Sequence, residues 1–251
     1  MNLLDTGLLA AAGVAAGVVN AVAGGGSLIS FPALLYVGYP TVTANVTNTV
    51  ALWPGYIGGA VGYRAELSGQ RGRVIAFSVT SVVGAILGCL LLLVTPEDVF
   101  GALVPILIAV ASLLLAVQPW VKKRLSASDR LSGRQHQILL HAGILLGGVY
   151  GAYFGAGLGV MLLGILGVFV HDRLQRVNAV RAVLSLVINT IACAAFAIFG
   201  PVQWSAVAVM AVASLAGGFA GARVARMLSP TVLRAVIVTF GLAVAVALAP
   251  H

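Results

Sequence analysis

Two apolar runs too short to cross a bilayer, each tied to a glycine cluster, constrain this chain more than any other feature. Residues 27–38 follow Gly24-Gly25-Gly26, and residues 158–170 begin inside Gly155-Ala156-Gly157-Leu158-Gly159. At ~1.5 Å per helical residue each run reaches roughly 18–20 Å, against a hydrocarbon core of ~30 Å. The other apolar runs are 7–23, 43–63, 73–94, 98–118, 137–154, 178–199, 203–225 and 231–250. Each comes close to the ~20 residues of a spanning helix. Only 8% of the residues are charged and 61% are hydrophobic. A soluble domain carries about 25% charge, so lipid must supply much of the solvent here. The expected class is an all-α polytopic membrane protein of about 8–10 helical segments.

The net charge is +8, but no basic stripe interleaves with aromatics, so nucleic acid is excluded as a partner. The 14 Lys and Arg sit in or beside short connections, apart from Arg181. Basic loops stay on the cytoplasmic side. The loops at 64–73, 120–135, 171–176 and 223–230 are therefore expected inside, with the turns at 95–98 and 200–201 and both termini outside. No positively charged start marks a cleaved signal peptide. Since 120–135 and 171–176 share a side, 137–154 and 158–170 must leave and return as a hairpin with the glycine cluster at its tip. Irregular backbone at membrane depth survives only against protein or a water-filled cavity. The tip is thus a candidate ligand site.

The chain repeats at offsets of 131 to 134 residues. Gly24-Gly25-Gly26 aligns with Gly155-Ala156-Gly157, Asn45 with Asn178, Ser81, Gly84 and Gly88 with Ser214, Gly217 and Gly221, and Pro96 with Pro230. With the charges as placed, this predicts two inverted repeats, each a broken-helix hairpin plus three transmembrane helices. They cover 1–119 and 136–251, joined by a basic cytoplasmic linker at 120–135. Inverted repeats are a plan of secondary transporters, with substrate at the repeat interface. The alternative counts each broken pair as one crossing and gives a parallel duplication; it would set the 120–135 and 171–176 loops on opposite sides.

Around the first break stand Asn20, Gly24, Gly25, Gly26 and Ser27. Glycine permits close approach of a ligand, and Ser27 is a favoured N-cap type for the helix that follows. The first amides of that helix lack acceptors and carry the positive end of the dipole, which suits an anion. Gly155 and Gly157 repeat the device. The competing role is close helix packing. Asn45, Asn48 and Thr49 share a face of the next helix, where they can donate to a ligand oxygen or to a neighbouring helix. At the equivalent place Asn178 is followed by Arg181, read as about one turn into an apolar helix. A charge there is costly and points to substrate, unless it snorkels to the interface.

All six acids, Asp5, Glu66, Glu97, Asp98, Asp129 and Asp172, lie at segment ends or in loops. No buried carboxylate is expected as a proton relay or sodium ligand. Neither HExxH nor a Walker loop nor a metal-ligand cluster occurs, so no catalytic residue, metal or cofactor is expected. Cys89 and Cys193 sit in apolar runs and read as small buried hydrophobes.

The stretch from Asn20 through Gly24-Gly25-Gly26-Ser27-Leu28-Ile29-Ser30-Phe31-Pro32, followed by Ala44-Asn45 and Thr47-Asn48, resembles the sulfite exporter TauE/SafE family, also called the toluene sulfonate uptake permeases. The resemblance spans the whole chain. It implies a multi-pass bacterial inner-membrane protein that moves small anions, often sulfur-containing, such as sulfite, sulfoacetate or related organosulfonates. The expected function is a secondary transporter or facilitator with its site between the two glycine breaks, and not an enzyme. The expected partners are a small anionic substrate and the bilayer, with a homodimer as an option. The competing readings are a non-transporting membrane scaffold and an intramembrane serine protease with Ser27 as nucleophile and His141 or His171 as base.

Overall fold

A computed structural model describes residues 2–22, 25–124, 133–224 and 230–248. Within them the chain forms ten α-helices and no strand: α1 Leu3–Val22, α2 Ser27–Tyr36, α3 Thr41–Gly62, α4 Arg71–Val94, α5 Glu97–Arg124, α6 Arg134–Tyr153, α7 Leu158–Phe169, α8 Leu174–Phe199, α9 Trp204–Val224 and α10 Pro230–Ala247. A 3-10 turn at Arg64–Leu67 links α3 to α4. Segments in α1, α4, α5 and α8 are long and apolar enough to cross a bilayer. From Ile75 to Val94 the side chains that face outward along α4 are leucine, isoleucine, valine and one alanine, which suits lipid as solvent. The protein is an all-α polytopic membrane protein. Gly24 and residues 125–132 and 225–229 of the basic connections lie outside the described residues.

Several helices extend past the apolar runs into basic sequence. Helix α5 continues to Arg124, and α8 starts at Leu174. Arg181 therefore lies about two turns into its helix, deeper than the one turn expected from hydropathy. Hydropathy marks where lipid begins, whereas backbone hydrogen bonding carries a helix on through residues such as Gln175 and Arg176 at the interface. Ser27 is likewise not the N-cap. It is the first helical residue, preceded by Gly26 already in the right-handed α region (φ −59, ψ −31). The next amides bond back to Gly25 and Gly26 carbonyls, which leaves no capping task for the serine.

Helix pairing is set by glycines that let backbones touch. Helix α1 lies along α9 in parallel: Gly13 meets Met210 and Ala213, and Gly17 meets Ser214 and Gly218. Helix α4 lies along α6 in the same way: Gly84 meets Leu145 and Gly148, and Gly88 meets Val149 and Ala152. The two sets match by position, since Gly217 abuts the Val14 carbonyl as Gly84 abuts that of Leu145. Between these pairs α3 packs on α8. Trp53 Nε1 donates to Thr190 Oγ1 at 3.0 Å, and further along α3 Tyr63 lines a cavity with Arg181. The contacts run forward on one helix and backward on the other, so α3 and α8 are antiparallel.

At one end of the bundle three connections come together. Asp172 Oδ2 accepts from Arg73 Nη1 at 3.0 Å, and Arg176 Nε lies 3.1 Å from the same carboxylate. Arg176 Nη1 also donates to the Ser68 carbonyl at 3.1 Å. His136 Nε2 lies 2.7 Å from the Phe169 carbonyl, so α6 and α7 return to this same end as a hairpin. Burial pushes the Asp172 carboxyl up, but hydrogen bonds from Arg73, the Arg173 amide and Arg176 outweigh it and hold the group below the ordinary carboxylate range. A depressed pKa means the latch contributes its full stability above the unfolded carboxylate value, about pH 4. It is lost only as pH falls through the lower folded value. In a variant lacking Cys89 and Cys193, single cysteines at Ser68, Gln135 and Arg173 are expected to label from one face of the membrane and one at Pro96 from the other. Labelling of residue 173 from the Pro96 side would contradict this arrangement.

The opposite end is closed by polar and aromatic contacts. Glu97, at the start of α5, accepts from Thr41 Oγ1 at 2.6 Å and from the Val42 amide at 3.1 Å. A carboxylate thus sits on the N-terminus of α3, where the helix dipole favours it. Beneath it Phe31, Phe100, Tyr153 and Phe154 are buried together, with ring centroids 5.4 Å apart for Phe31–Phe154 and 5.5 Å for Phe100–Tyr153.

Candidate functional site

A cavity of about 350 Å³ lies where α1, α3, α8, α9 and the start of α7 meet. Its wall on α3 runs from Pro54 to Tyr63, the last residue before the turn at the basic end. Leu215 and Phe219 of α9 and glycines of α3 supply apolar surface. A cation and several neutral polar groups reach into this space.

The cation is Arg181. It lines the cavity from α8, half-buried, with its Nε buried and without a hydrogen-bond partner. No ion pair reaches it among the described residues, where Arg73 and Arg176 both use Asp172. The phenol groups of Tyr56 and Tyr63 lie within electrostatic range of its charge. No Asp or Glu lines the cavity. A guanidinium stays protonated even when buried, so Arg181 brings a full positive charge to the site.

The neutral groups favour the same kind of ligand. Asn20 Oδ1 accepts the Gly26 amide at 2.8 Å, which fixes the orientation of the side-chain amide. Its NH2 end remains as a donor on the cavity wall. Ser185 stands one helical turn after Arg181 on the same face of α8, and its Oγ is buried without a partner. Gly159 lies in the first turn of α7, and its amide has no backbone acceptor among the described residues. The positive end of a short helix therefore points at the cavity.

Of the residues expected at a site, Asn20 and Arg181 come together in this cavity. The others serve elsewhere. Gly25 packs against Leu115 of α5, and Gly157 against Ala111, about 6 Å further along that helix. Both breaks thus lean on α5 one helical turn apart, and neither glycine lines the cavity. Gly157 and Gly155 take φ of +74 and +76, left-handed values that favour glycine. Gly26 has its backbone against the Ala16 carbonyl, and Ser27 is buried beside it. Asn45 Nδ2 donates to the Tyr153 carbonyl at 2.8 Å, Asn48 Oδ1 accepts from Ser30 Oγ at 2.5 Å, and Thr49 Oγ1 bonds back to the Asn45 carbonyl at 3.0 Å. The two asparagines tie α3 to the two hairpins, while the Thr49 bond stays within α3. Asn178 is half-buried one turn before Arg181 and does not line the cavity.

Sequence reasoning missed Tyr56, Tyr63 and Ser185, whereas Gly159 belongs to the second glycine cluster, expected at a ligand site. Ser185 had a legible signal, four residues after Arg181 and therefore on its face. The tyrosines had none, because only the antiparallel packing of α3 on α8 brings them to Arg181.

A solute-sized, cation-bearing cavity inside a polytopic helical bundle suits a membrane transporter, and the family and relatives of the chain give that class. The family model "Sulfite exporter TauE/SafE" matches residues 9–248, and the chain belongs to that family. It is 28% identical over 240 residues to probable membrane transporter protein ORF9 of a Sinorhizobium species, covering 93% of this chain and 88% of that protein. It is 26% identical over 234 residues to a probable membrane transporter protein of Haemophilus influenzae, covering 92% and 89%. With probable membrane transporter protein YfcA of Escherichia coli K12 it shares 25% identity over 236 residues, covering 92% and 85%. No solved structure matches the chain significantly.

Proposed function

We propose that the protein is a secondary carrier or facilitator for a small anion, sulfur-containing in keeping with its family, and that the anion binds in the Arg181 cavity. The observation that carries this reading is a guanidinium that, among the described residues, has no ion pair and shares its cavity with no acid. An unpaired charge in low dielectric costs several kcal/mol, and a bound anion offsets that cost. The antiparallel α3 and α8, with the matched α1–α9 and α4–α6 contacts, support an inverted duplication with a boundary near residues 120–135. The basic connections gathered at one end of the bundle favour that end as cytoplasmic, which puts the termini outside, and the family resemblance favours a bacterial inner membrane. The protease reading gains nothing from His141, whose Nδ1 lies 2.6 Å from Thr80 Oγ1.

The test is flux. Purified protein in proteoliposomes is expected to move radiolabelled sulfite or sulfoacetate well above protein-free liposomes. Rates equal to those controls for every sulfur oxyanion and organosulfonate would remove the reading.

A further inference from the structure

We infer that residues 54–63 of α3 form the moving wall of the Arg181 cavity, jointed at Pro54, and that bending of this half-helix opens and closes the cavity during transport. This deepens the proposed function and rests on it.

Helix α3 falls into two halves of unlike construction. The first is pinned on several sides. Asn45 holds the Tyr153 carbonyl and Asn48 the Ser30 hydroxyl. Thr47 Oγ1 accepts the Gln203 amide at 3.0 Å, and the Ala51 carbonyl accepts from Ser214 Oγ at 3.1 Å. Trp53 ends the series on Thr190. Beyond it stand Ile57, Gly58, Gly59, Ala60, Val61 and Gly62, none with a side chain that can form a hydrogen bond. A second fastening lies past Tyr63, where Arg176 Nη1 donates to the Ser68 carbonyl and Gln70 Nε2 donates to the Arg176 carbonyl. Thr190 and Arg176 both belong to α8, and Arg181 lies between them. The second half of α3 is therefore a strap held at its two ends beside the cation.

The joint comes from local chemistry. Pro54 has no N–H, so the Val50 carbonyl loses its helical donor, and helices bend at such places. Gly55, Gly58, Gly59 and Gly62 follow it, and glycine holds a helix poorly because it has the most freedom to lose. The usual structural reasons for a glycine do not apply at 55, 58 and 62. None takes a positive φ, and a methyl at any of the three would meet nothing within 4 Å. By contrast Gly13, Gly17, Gly84 and Gly88 each abut the backbone of another helix. Gly55, Gly58 and Gly62 line the cavity instead. Room for a ligand would account for the glycines alone. A proline at the edge of the pinned half makes the same stretch a hinge. Across from it on α8, Arg181 and the buried, unpartnered Ser185 Oγ are the groups that such a bend would enclose or uncover.

The experiment uses the purified full chain and three variants. The triple variant Gly55→Ala, Gly58→Ala, Gly62→Ala stiffens the wall with methyls that have room. Pro54→Ala returns a donor to the Val50 carbonyl. Gly72→Ala in α4, whose methyl also meets nothing, is the control. Hydrogen–deuterium exchange of the amides at 57–62 is expected to slow at least ~10-fold in the triple variant and in Pro54→Ala. Flux of sulfite and sulfoacetate in proteoliposomes should fall at least ~10-fold in both, while calorimetric dissociation constants stay within ~3-fold, as for a hinge that sets turnover. The unfolding temperature should not drop, and Gly72→Ala should match the unaltered protein throughout. Unchanged exchange and flux in both variants would overturn the inference. So would affinity falling as far as flux, which makes the glycines ligand contacts, or a dimer lost on gel filtration, which makes them a contact with a second copy. If the triple variant fails to fold, Pro54→Ala decides alone. If the unaltered protein neither binds nor moves any sulfur anion, the proposed function falls. Slowed exchange at 57–62 in the variants would then still support the joint, and unchanged exchange would overturn it.

Discussion

Replacing Arg181 with Gln is expected to raise the anion dissociation constant at least ~10-fold, equivalent to about 1.4 kcal/mol. The substitution leaves a shorter polar side chain that can still hydrogen-bond, and removes the charge that Arg181 brings to the cavity wall. Because Arg181 has no carboxylate partner among the described residues, its loss strands no buried acid. The effect should appear in binding and flux, with little change in thermal stability. Arg181→Lys should recover part of the affinity if charge alone matters, and little if the planar fork holds two ligand oxygens. Titration calorimetry on monodisperse protein separates these results. Unchanged affinity in Arg181→Gln would leave Asn20, Ser185 and the α7 N-terminus as the whole binding site.

The second large effect concerns the fold. Gly217→Ala is expected to destabilise the protein by ~1–3 kcal/mol or more, the range for overpacking a tight interface. A methyl at Gly217 would overlap the backbone carbonyl of Val14, and backbone cannot swing aside as a side-chain tip can. Gly84→Ala should cost a similar amount, since its methyl would meet the Leu145 carbonyl in the matching α4–α6 contact. The control is next door: a methyl at Gly218 meets nothing within 4 Å, so Gly218→Ala should leave the unfolding temperature nearly unchanged. Thermal denaturation in detergent, followed by gel filtration, reads all three. Equal midpoints for Gly217→Ala and Gly218→Ala would mean that α1 and α9 do not approach as described.

Much of this architecture was legible in one dimension. The low charge and long apolar runs fixed a helical bundle in lipid, because no other solvent suits them. Short runs behind glycine clusters identified the two broken helices, and α2 and α7 end within two residues of the expected places. A lone arginine inside an apolar run pointed to the cavity, since a cation there is costly without a polar surrounding. Periodicity along a single helix carries all of these signals.

What only the tertiary structure decided is which faces meet. Asn45 and Asn48 had two equally plausible uses, and packing assigned them to hold Tyr153 and Ser30. The glycines at 25 and 157 read as ligand contacts, yet they turn to Leu115 and Ala111 of α5. The cavity opened instead beside Arg181, because antiparallel packing of α3 on α8 delivers Tyr56 and Tyr63 to it from more than a hundred residues away in sequence. Local hydrogen bonding and hydropathy specify a helix and its depth. The pairing of helix faces depends on where every other helix settles, and no single stretch of sequence encodes that.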